Sequence, residues 1–217
     1  MSTRMIRECF SVVLERTVQE LRGVSCLDLE ETVSDRQQII SSRSFGTLMY
    51  DLEDLVEAVA SYTARAAEKL RQQDSLAGAV QVMIRTNVFK PEAPQYQKAV
   101  TVPLPEATAD TRILTHWTVQ MARRIYRAGF GYHKAGIALL DIRPRTNQQF
   151  GLFVLDEVTR SRNERLIGAL DAINGRFGRG MLRHAAEGME RPWQMRRENL
   201  SPRYTTEWAG VPKVRAG

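Results

Sequence analysis

Residues 78–102 read GAVQVMIRTNVFKPEAPQYQKAVTV, and this stretch decides which fold the sequence predicts. Between 78 and 87, apolar and polar side chains alternate, with Val80 and Ile84 on the same side. After a loop that contains two prolines, residues 96–102 alternate in the same way. Alternation with a period of two indicates a strand that buries one face. The stretch therefore predicts two half-buried strands that are separated by a loop.

Amphipathic helices are predicted on either side of these strands. Residues 51–73 carry apolar side chains at helical spacing, and Asp51 stands where a capping side chain is expected. Residues 109–128 repeat the pattern, and Gly129 and Gly131 follow as helix-ending residues. The central part of the chain is therefore predicted as helix, strand, strand, helix.

One further strand is predicted at each end of this central part, over residues 36–45 and 132–143. The order from 36 to 143 is then β-α-β-β-α-β, which is the ferredoxin-like arrangement within the α+β class. We expect a four-stranded antiparallel sheet with both helices on one face. Pro103 and Pro105 are expected to end the third strand, because proline cannot donate to a ladder of hydrogen bonds.

This arrangement leaves the other face of the sheet open. We expect that face to carry polar and basic side chains such as Arg43, Arg85 and Lys134. An open basic sheet suits contact with the phosphates of a nucleic acid. The topology alone implies no partner, because many unrelated functions share it.

The composition favours a soluble globular protein of the cytoplasm. Of 217 residues, 43% are hydrophobic and 26% are charged, which is ordinary for globular chains. The sequence has no apolar run long enough for a membrane span and no secretory signal, so no membrane partner is expected. Its two cysteines are too few to staple a secreted fold.

The charge is uneven along the chain, although the net charge is +6. Residues 76–145 hold ten Lys/Arg against four Asp/Glu, and residues 157–217 hold twelve against seven. A basic surface attracts polyanions, of which nucleic acid is the commonest. A solvated basic surface without a partner explains the charge equally well.

No pattern for catalysis, metal or cofactor binding is evident. His116, His133 and His184 lack a neighbouring nucleophile, and Cys9 and Cys26 lack zinc-ligand spacing. The glycine motifs that bind phosphates are missing. Helix capping and solvation explain the pairs of carboxylates that are adjacent in the sequence better than metal binding does. We therefore expect no catalytic residue and no cofactor on this chain.

The remaining segments lie outside the predicted sheet. Residues 3–22 are predicted as one amphipathic helix, residues 145–158 as a linker, and residues 159–174 as a further helix. From Gly175 onward the sequence is irregular and rich in arginine and aromatic residues, which can contact DNA or accessory proteins.

Several stretches resemble the UmuC-type branch of the translesion (Y-family) DNA polymerases. They are VLERTVQELRGVSCLDLEE (13–31), QQIISSRSFG (37–46), YTARAAEKLR (62–71), YHKAGI (132–137) and WQMRRENLSPRYTT (193–206). They follow one another in the family's order and cover essentially the whole chain.

The resemblance implies four segments of such a polymerase. Residues 1–33 resemble the end of the thumb, 34–144 the little-finger DNA-binding domain, 145–158 a linker, and 159–217 the UmuC-type C-terminal segment. The family's magnesium-binding carboxylates belong to a palm that no motif here matches. We therefore expect this chain not to polymerise DNA, although the parent family does so in the SOS response to DNA damage.

The resemblance also implies partners and contact residues. The first partner is primer-template DNA, and its expected phosphate contacts are Ser42, Arg43, Ser44, Arg85, Lys98 and Lys134. The second is the sliding clamp, the beta subunit of DNA polymerase III, for which the linker offers a motif. That motif consists of Gln149, Phe150, Gly151, Leu152 and Phe153, in which phenylalanine replaces the usual leucine at the second place. UmuD′ and RecA are further partners that the resemblance suggests.

An alternative is a ferredoxin-like module that binds RNA or protein and has no role in a polymerase. Sheets that stack RNA bases carry aromatic residues on their central strands. The expected central strands offer Met83 and Arg85 instead, so the sequence favours DNA.

Overall fold

The chain divides into two compact units, Met1–Asp35 and Arg36–Gly217. The computed structural model describes residues 3–26, 35–147, 157–191 and 193–195.

The first unit contains two helices, α1 (Thr3–Cys9) and α2 (Val12–Leu21). The prediction of one continuous helix over 3–22 is therefore wrong. Ser11 separates the two helices, since its backbone is extended and its hydroxyl accepts a hydrogen bond from the Leu14 amide at 3.2 Å. A serine in this position caps the start of a new helix, which competes with continuation of the first.

The second unit has the predicted order β-α-β-β-α-β, followed by one more helix. Its elements are β1 (Ile39–Met49), α3 (Leu52–Gln72), β2 (Ser75–Thr86), β3 (Gln97–Thr108), α4 (Thr111–Ile125), β4 (Tyr132–Pro144) and α5 (Glu157–Phe177). The four strands form one sheet in the order β1-β4-β2-β3, and every neighbouring pair is antiparallel. The predicted fold class is confirmed.

Aspartate side chains begin both helices that pack on the sheet. Asp51 accepts a hydrogen bond from the Glu53 amide at 2.7 Å, as the sequence predicted. Asp110 does the same for the Arg112 amide at 2.8 Å. Each carboxylate satisfies an amide that has no partner inside its helix, so both helices start at defined positions.

The core lies between these two helices and one face of the sheet. Val80, Val82 and Ile84 of β2 are fully buried there, as are Ile137 and Leu139 of β4. The other face of the sheet is left without this layer of helices.

The third strand continues through the prolines that were expected to end it. Pro103 pairs with Ala79, and β3 runs on to Thr108 after a shift in register. The prediction of an end at Pro103 is wrong because β3 is an edge strand. Proline is tolerated on an edge, where its missing amide faces no neighbouring strand.

Candidate nucleic-acid interface

Every second residue of each strand contributes to the face of the sheet opposite the helices. In an antiparallel pair, two residues directly opposite each other lie on the same face. Gln81 lies opposite Ala138 on one side and Thr101 on the other. The same register holds along the four strands. Over residues 40–44, 81–85, 97–101 and 134–138 it assigns twelve residues to what we call the open face: Ile40, Ser42, Ser44, Gln81, Met83, Arg85, Gln97, Ala99, Thr101, Lys134, Gly136 and Ala138.

The charges on the open face are all positive. Its twelve residues include no carboxylate, and its two cations, Arg85 and Lys134, lie directly opposite each other on the central strands. Ser44 and Gln97 complete this row on the two edge strands. Like charges at opposed positions destabilise a sheet, so the row stores electrostatic repulsion that a bound anion would relieve.

The guanidinium of Arg85 has an unused donor. Its Nε is buried against the sheet and has no hydrogen-bond partner among the residues that the structure describes. Arginine can only donate hydrogen bonds, and a buried donor without an acceptor is costly.

A glycine at the centre of the open face allows close packing across the neighbouring strands. Gly136 lies opposite both Ser42 and Met83. A Cβ atom at Gly136 would come within 3.0 Å of the Ser42 Cα and 3.1 Å of the Met83 Cε. The glycine thus lets the neighbouring side chains approach each other over the middle strand. A surface that carries hydroxyls and cations can contact a sugar-phosphate backbone.

Two of the six predicted DNA contacts lie on the other side of the sheet. Arg43 lies opposite Ala135, and Lys98 lies opposite Ile84, both of which are buried under the helices. The expectation that Arg43 belongs to the open face is therefore wrong, and Lys98 is also absent from that face. A shift of one residue along a strand changes the face on which a side chain lies, so neighbours of a correct residue are easily misassigned.

The structure brings the other four predicted contacts, Ser42, Ser44, Arg85 and Lys134, onto the open face. That they bind DNA stays a prediction. Gln97 also belongs to the row that contains Arg85 and Lys134, although it was not among the predicted contacts. The alternation of residues 96–102 could have predicted this position, because it places Gln97 on the opposite face of the strand from Tyr96 and Val100.

A basic cleft lies on the other side of the molecule, between α3 and residues 179–195. Its volume is about 810 Å³. The described residues that line it include six arginines, Arg43, Arg65, Arg71, Arg179, Arg183 and Arg191, and three carboxylates, Glu68, Asp171 and Glu187. The region after Gly175 has no local sequence pattern that shows which elements it contacts, so the sequence leaves DNA and accessory proteins open as its partners.

An ion pair holds α5 beside this cleft. The Arg71 guanidinium of α3 donates to both carboxylate oxygens of Asp171 on α5, at 2.6 and 2.7 Å. Its remaining nitrogen donates to the Ala109 carbonyl at 2.9 Å and the Thr111 hydroxyl at 2.8 Å. Two parallel hydrogen bonds to a carboxylate give both strength and orientation. Arg71 therefore fixes α5 relative to α3 and to the start of α4.

The predicted clamp motif, Gln149 to Phe153, lies outside the described residues. Within the described part of the chain, no group of three His, Cys, Asp or Glu side chains could hold a metal ion. None of the described helices combines the length and the apolar character that are needed to cross a bilayer.

Comparison with known proteins places this geometry in a family. Residues 36–152 match the impB/mucB/samB family C-terminal domain, and residues 164–214 match a domain of unknown function (DUF4113). The first match begins just before β1 and takes in the whole sheet with both of its covering helices.

Whole-chain relatives agree with this match. The chain is 41% identical over 214 residues to Protein UmuC of Salmonella typhimurium, covering 99% of this chain and 50% of that protein. It is 41% identical over 217 residues to Protein ImpB of Salmonella typhimurium, covering all of this chain and 50% of that protein. With Protein MucB of Escherichia coli the identity is 42% over 211 residues, and the coverage is 97% and 49%.

This chain thus spans about half the length of the curated relatives that it matches. The match over 36–152 takes in more than half of its residues and all four strands of the sheet. The chain belongs to the impB/mucB/samB family, whose C-terminal domain it carries.

Proposed function

We propose that this chain binds primer-template DNA through its open face, as part of an error-prone translesion DNA polymerase that acts in DNA damage tolerance. The observation that carries the proposal is the row Ser44, Lys134, Arg85 and Gln97, in which two cations face each other and no carboxylate compensates them. Membership of the impB/mucB/samB family and similarity to UmuC support it.

The open face suits recognition of the DNA backbone and not of the bases. Arg85 and Lys134 neutralise phosphates, while the hydroxyls of Ser42 and Ser44 donate to phosphate oxygens. Contacts of this kind position a protein on DNA without reading its sequence. That property is useful to a polymerase that copies damaged templates, since a damaged base leaves the backbone contacts largely unchanged.

Each segment of the chain has a place in this proposal. Residues 34–144 act as the little finger, and residues 1–33 lead into it from the thumb. Residues 145–158 form a linker, and residues 159–217 form the UmuC-type C-terminal segment. UmuD′ and RecA are further proposed partners of the chain. Nucleotide addition and magnesium binding belong to a palm, so the chain alone incorporates no nucleotide in a primer-extension assay with magnesium.

The linker tethers the chain to the sliding clamp through the sequence Gln149 to Phe153. Leu152 and Phe153 provide two apolar anchors, and Gln149 provides an amide. A clamp that encircles DNA raises the local concentration of the tethered domain, which can increase avidity by about 10² or more. Moderate affinity of the open face for DNA is then sufficient.

The DNA-binding proposal is tested by fluorescence anisotropy with labelled primer-template DNA, compared with single-stranded RNA of the same length. We expect binding to DNA whose affinity falls steeply with salt. A clear preference for the RNA would instead support an RNA-binding module and overturn the proposal.

The tether is tested separately by measuring clamp affinity. Replacing both Leu152 and Phe153 by alanine should cost about 2 kcal/mol or more, because such anchors carry most of the energy of a small interface. DNA affinity in the absence of clamp should not change. Unaltered clamp affinity in the double variant would refute the tether while leaving the DNA proposal intact.

A further inference from the structure

The cleft between α3 and residues 179–195 carries more positive charge than its own carboxylates compensate. Each of the three carboxylates already has an arginine beside it. Asp171 is held by Arg71, Glu68 lies 3.3 Å from the Arg179 Nε, and Glu187 lies 3.3 Å from an Arg191 nitrogen. Six arginines line the cleft against three carboxylates, and Arg43 and Arg183 are not among the arginines that pair with those carboxylates.

Three of the arginines that line the cleft, Arg43, Arg65 and Arg179, come from separate parts of the chain and lie near one another. Lys69 of α3 lies among four arginines: Arg36 ahead of β1, Arg43 in β1, Arg65 in α3 and Arg179 after α5. Burial lowers the pKa of Lys69, and the positive charges of these arginines lower it further. Convergence of like charges from distant segments is costly to folding, and an anion bound among them would offset that cost.

The cleft also contains buried donors without acceptors. The Arg191 Nε and the Trp193 Nε1 have no hydrogen-bond partner among the described residues, and both residues line the cleft. Trp193 is only 4% exposed and packs edge-on against Tyr62, with ring centroids 5.5 Å apart. Both nitrogens can only donate hydrogen bonds, and a buried donor without an acceptor is destabilising.

We propose that this cleft is a second nucleic-acid site, which holds the phosphates of a single strand. Phosphate oxygens only accept hydrogen bonds, and they match the paired donors of arginine. A volume of about 810 Å³ is within the range of sites that enclose small molecules, which suits a few nucleotides of a strand and excludes a duplex. Tyr62 and Trp193 are buried, so they provide no stacking surface, and binding is independent of base sequence.

This site is distinct from the open face, although one strand serves both. Ser42 and Ser44 of β1 lie on the open face, whereas Arg43 between them lies on the opposite side and lines the cleft. β1 is an edge strand, so nucleic acid can reach either side of it. The cleft goes beyond the proposed function and succeeds or fails independently of it.

The test compares two charge-neutralising double variants of the full chain. Arg43→Gln with Arg183→Gln alters the cleft, and Arg85→Gln with Lys134→Gln alters the open face. Binding of a labelled single-stranded oligonucleotide and of a blunt duplex is measured over a salt series. For a single strand, each lost phosphate contact reduces the salt slope by about 0.7, so the cleft variant should lose about 1.4. Its duplex affinity should stay within about twofold, in line with the absence of both side chains from the open face.

Two competitors identify the ligand, and the unfolding midpoint verifies that each variant is folded. Inorganic triphosphate should displace the oligonucleotide poorly, since a strand contacts more of the cations than a compact anion does. A poly-glutamate peptide should compete no better. If the double variant does not fold, Arg183→Gln alone should still reduce the slope by about 0.7, and Arg183→Lys should restore it.

The proposal is overturned by any of three results. In the first, the single-strand salt slope of the cleft variant equals that of the unaltered chain. In the second, single-strand binding is lost only when the open face is altered. In the third, triphosphate or poly-glutamate binds more tightly than the oligonucleotide, which would assign the cleft to a compact phosphate or to an acidic protein.

Discussion

Neutralising the facing cations Arg85 and Lys134 should weaken DNA binding and at the same time stabilise the fold. The two residues occupy opposed positions on the central strands, and the open face carries no carboxylate that would compensate them. Replacement of both by glutamine keeps polar side chains of moderate length and removes only the charges. The two expected effects have opposite signs, so a general loss of folding cannot mimic them.

The magnitudes follow from the number of charges removed. For duplex DNA each phosphate contact contributes about 0.9 to the slope of log affinity against log salt, so the double variant should lose about 1.8. At about 0.1 M salt this corresponds to a loss of roughly eightfold per cation, or about 60-fold for the pair. Removal of the repulsion should raise the free energy of unfolding by about 0.2–1 kcal/mol in low salt.

Fluorescence anisotropy over a salt series measures the first effect, and urea unfolding in low salt measures the second. Lys98→Gln is the matched control, because it removes one exposed cation that lies opposite the apolar Ile84 on the helix side. This control should change neither the slope nor the stability appreciably. A salt slope that is unchanged in the double variant would refute the assignment of the open face to DNA.

Three further changes probe how the structure is held. Gly136→Ala should destabilise the fold by about 1–3 kcal/mol in urea unfolding, since the added methyl group meets Ser42; equal stability would show that the strands can separate there. Thr118→Val should cost about 0.5–1.5 kcal/mol by the same measurement, because its hydroxyl shares a buried hydrogen bond at 2.9 Å with α3; a gain in stability would contradict this. Asp171→Ala should release α5 from Arg71 and speed proteolysis within α5 without affecting the sheet; an unaltered cleavage rate would show that α5 is held by other contacts.

The element order, the fold class and the cap at Asp51 could be read from the sequence, because each depends on residues close together in the chain. Alternation marks a strand and helical spacing marks a helix wherever the segment finally packs. Ser11 and Pro103 were misread for the same local reason. Whether a serine starts a new helix, or a proline ends a strand, depends on the neighbouring elements in the folded protein.

The two proposed binding surfaces could be located only from the tertiary structure. Strand order and register decide that Arg85 faces Lys134, and that Arg43 lies on the opposite side from Ser42 and Ser44.

The basic cleft could not be predicted from the sequence, because its arginines come from β1, α3 and the segment after α5. By itself the sequence determined a half-buried antiparallel sheet with two covering helices and an excess of cations. Only folding decided which cations meet, because charges add where segments distant in sequence become neighbours in space.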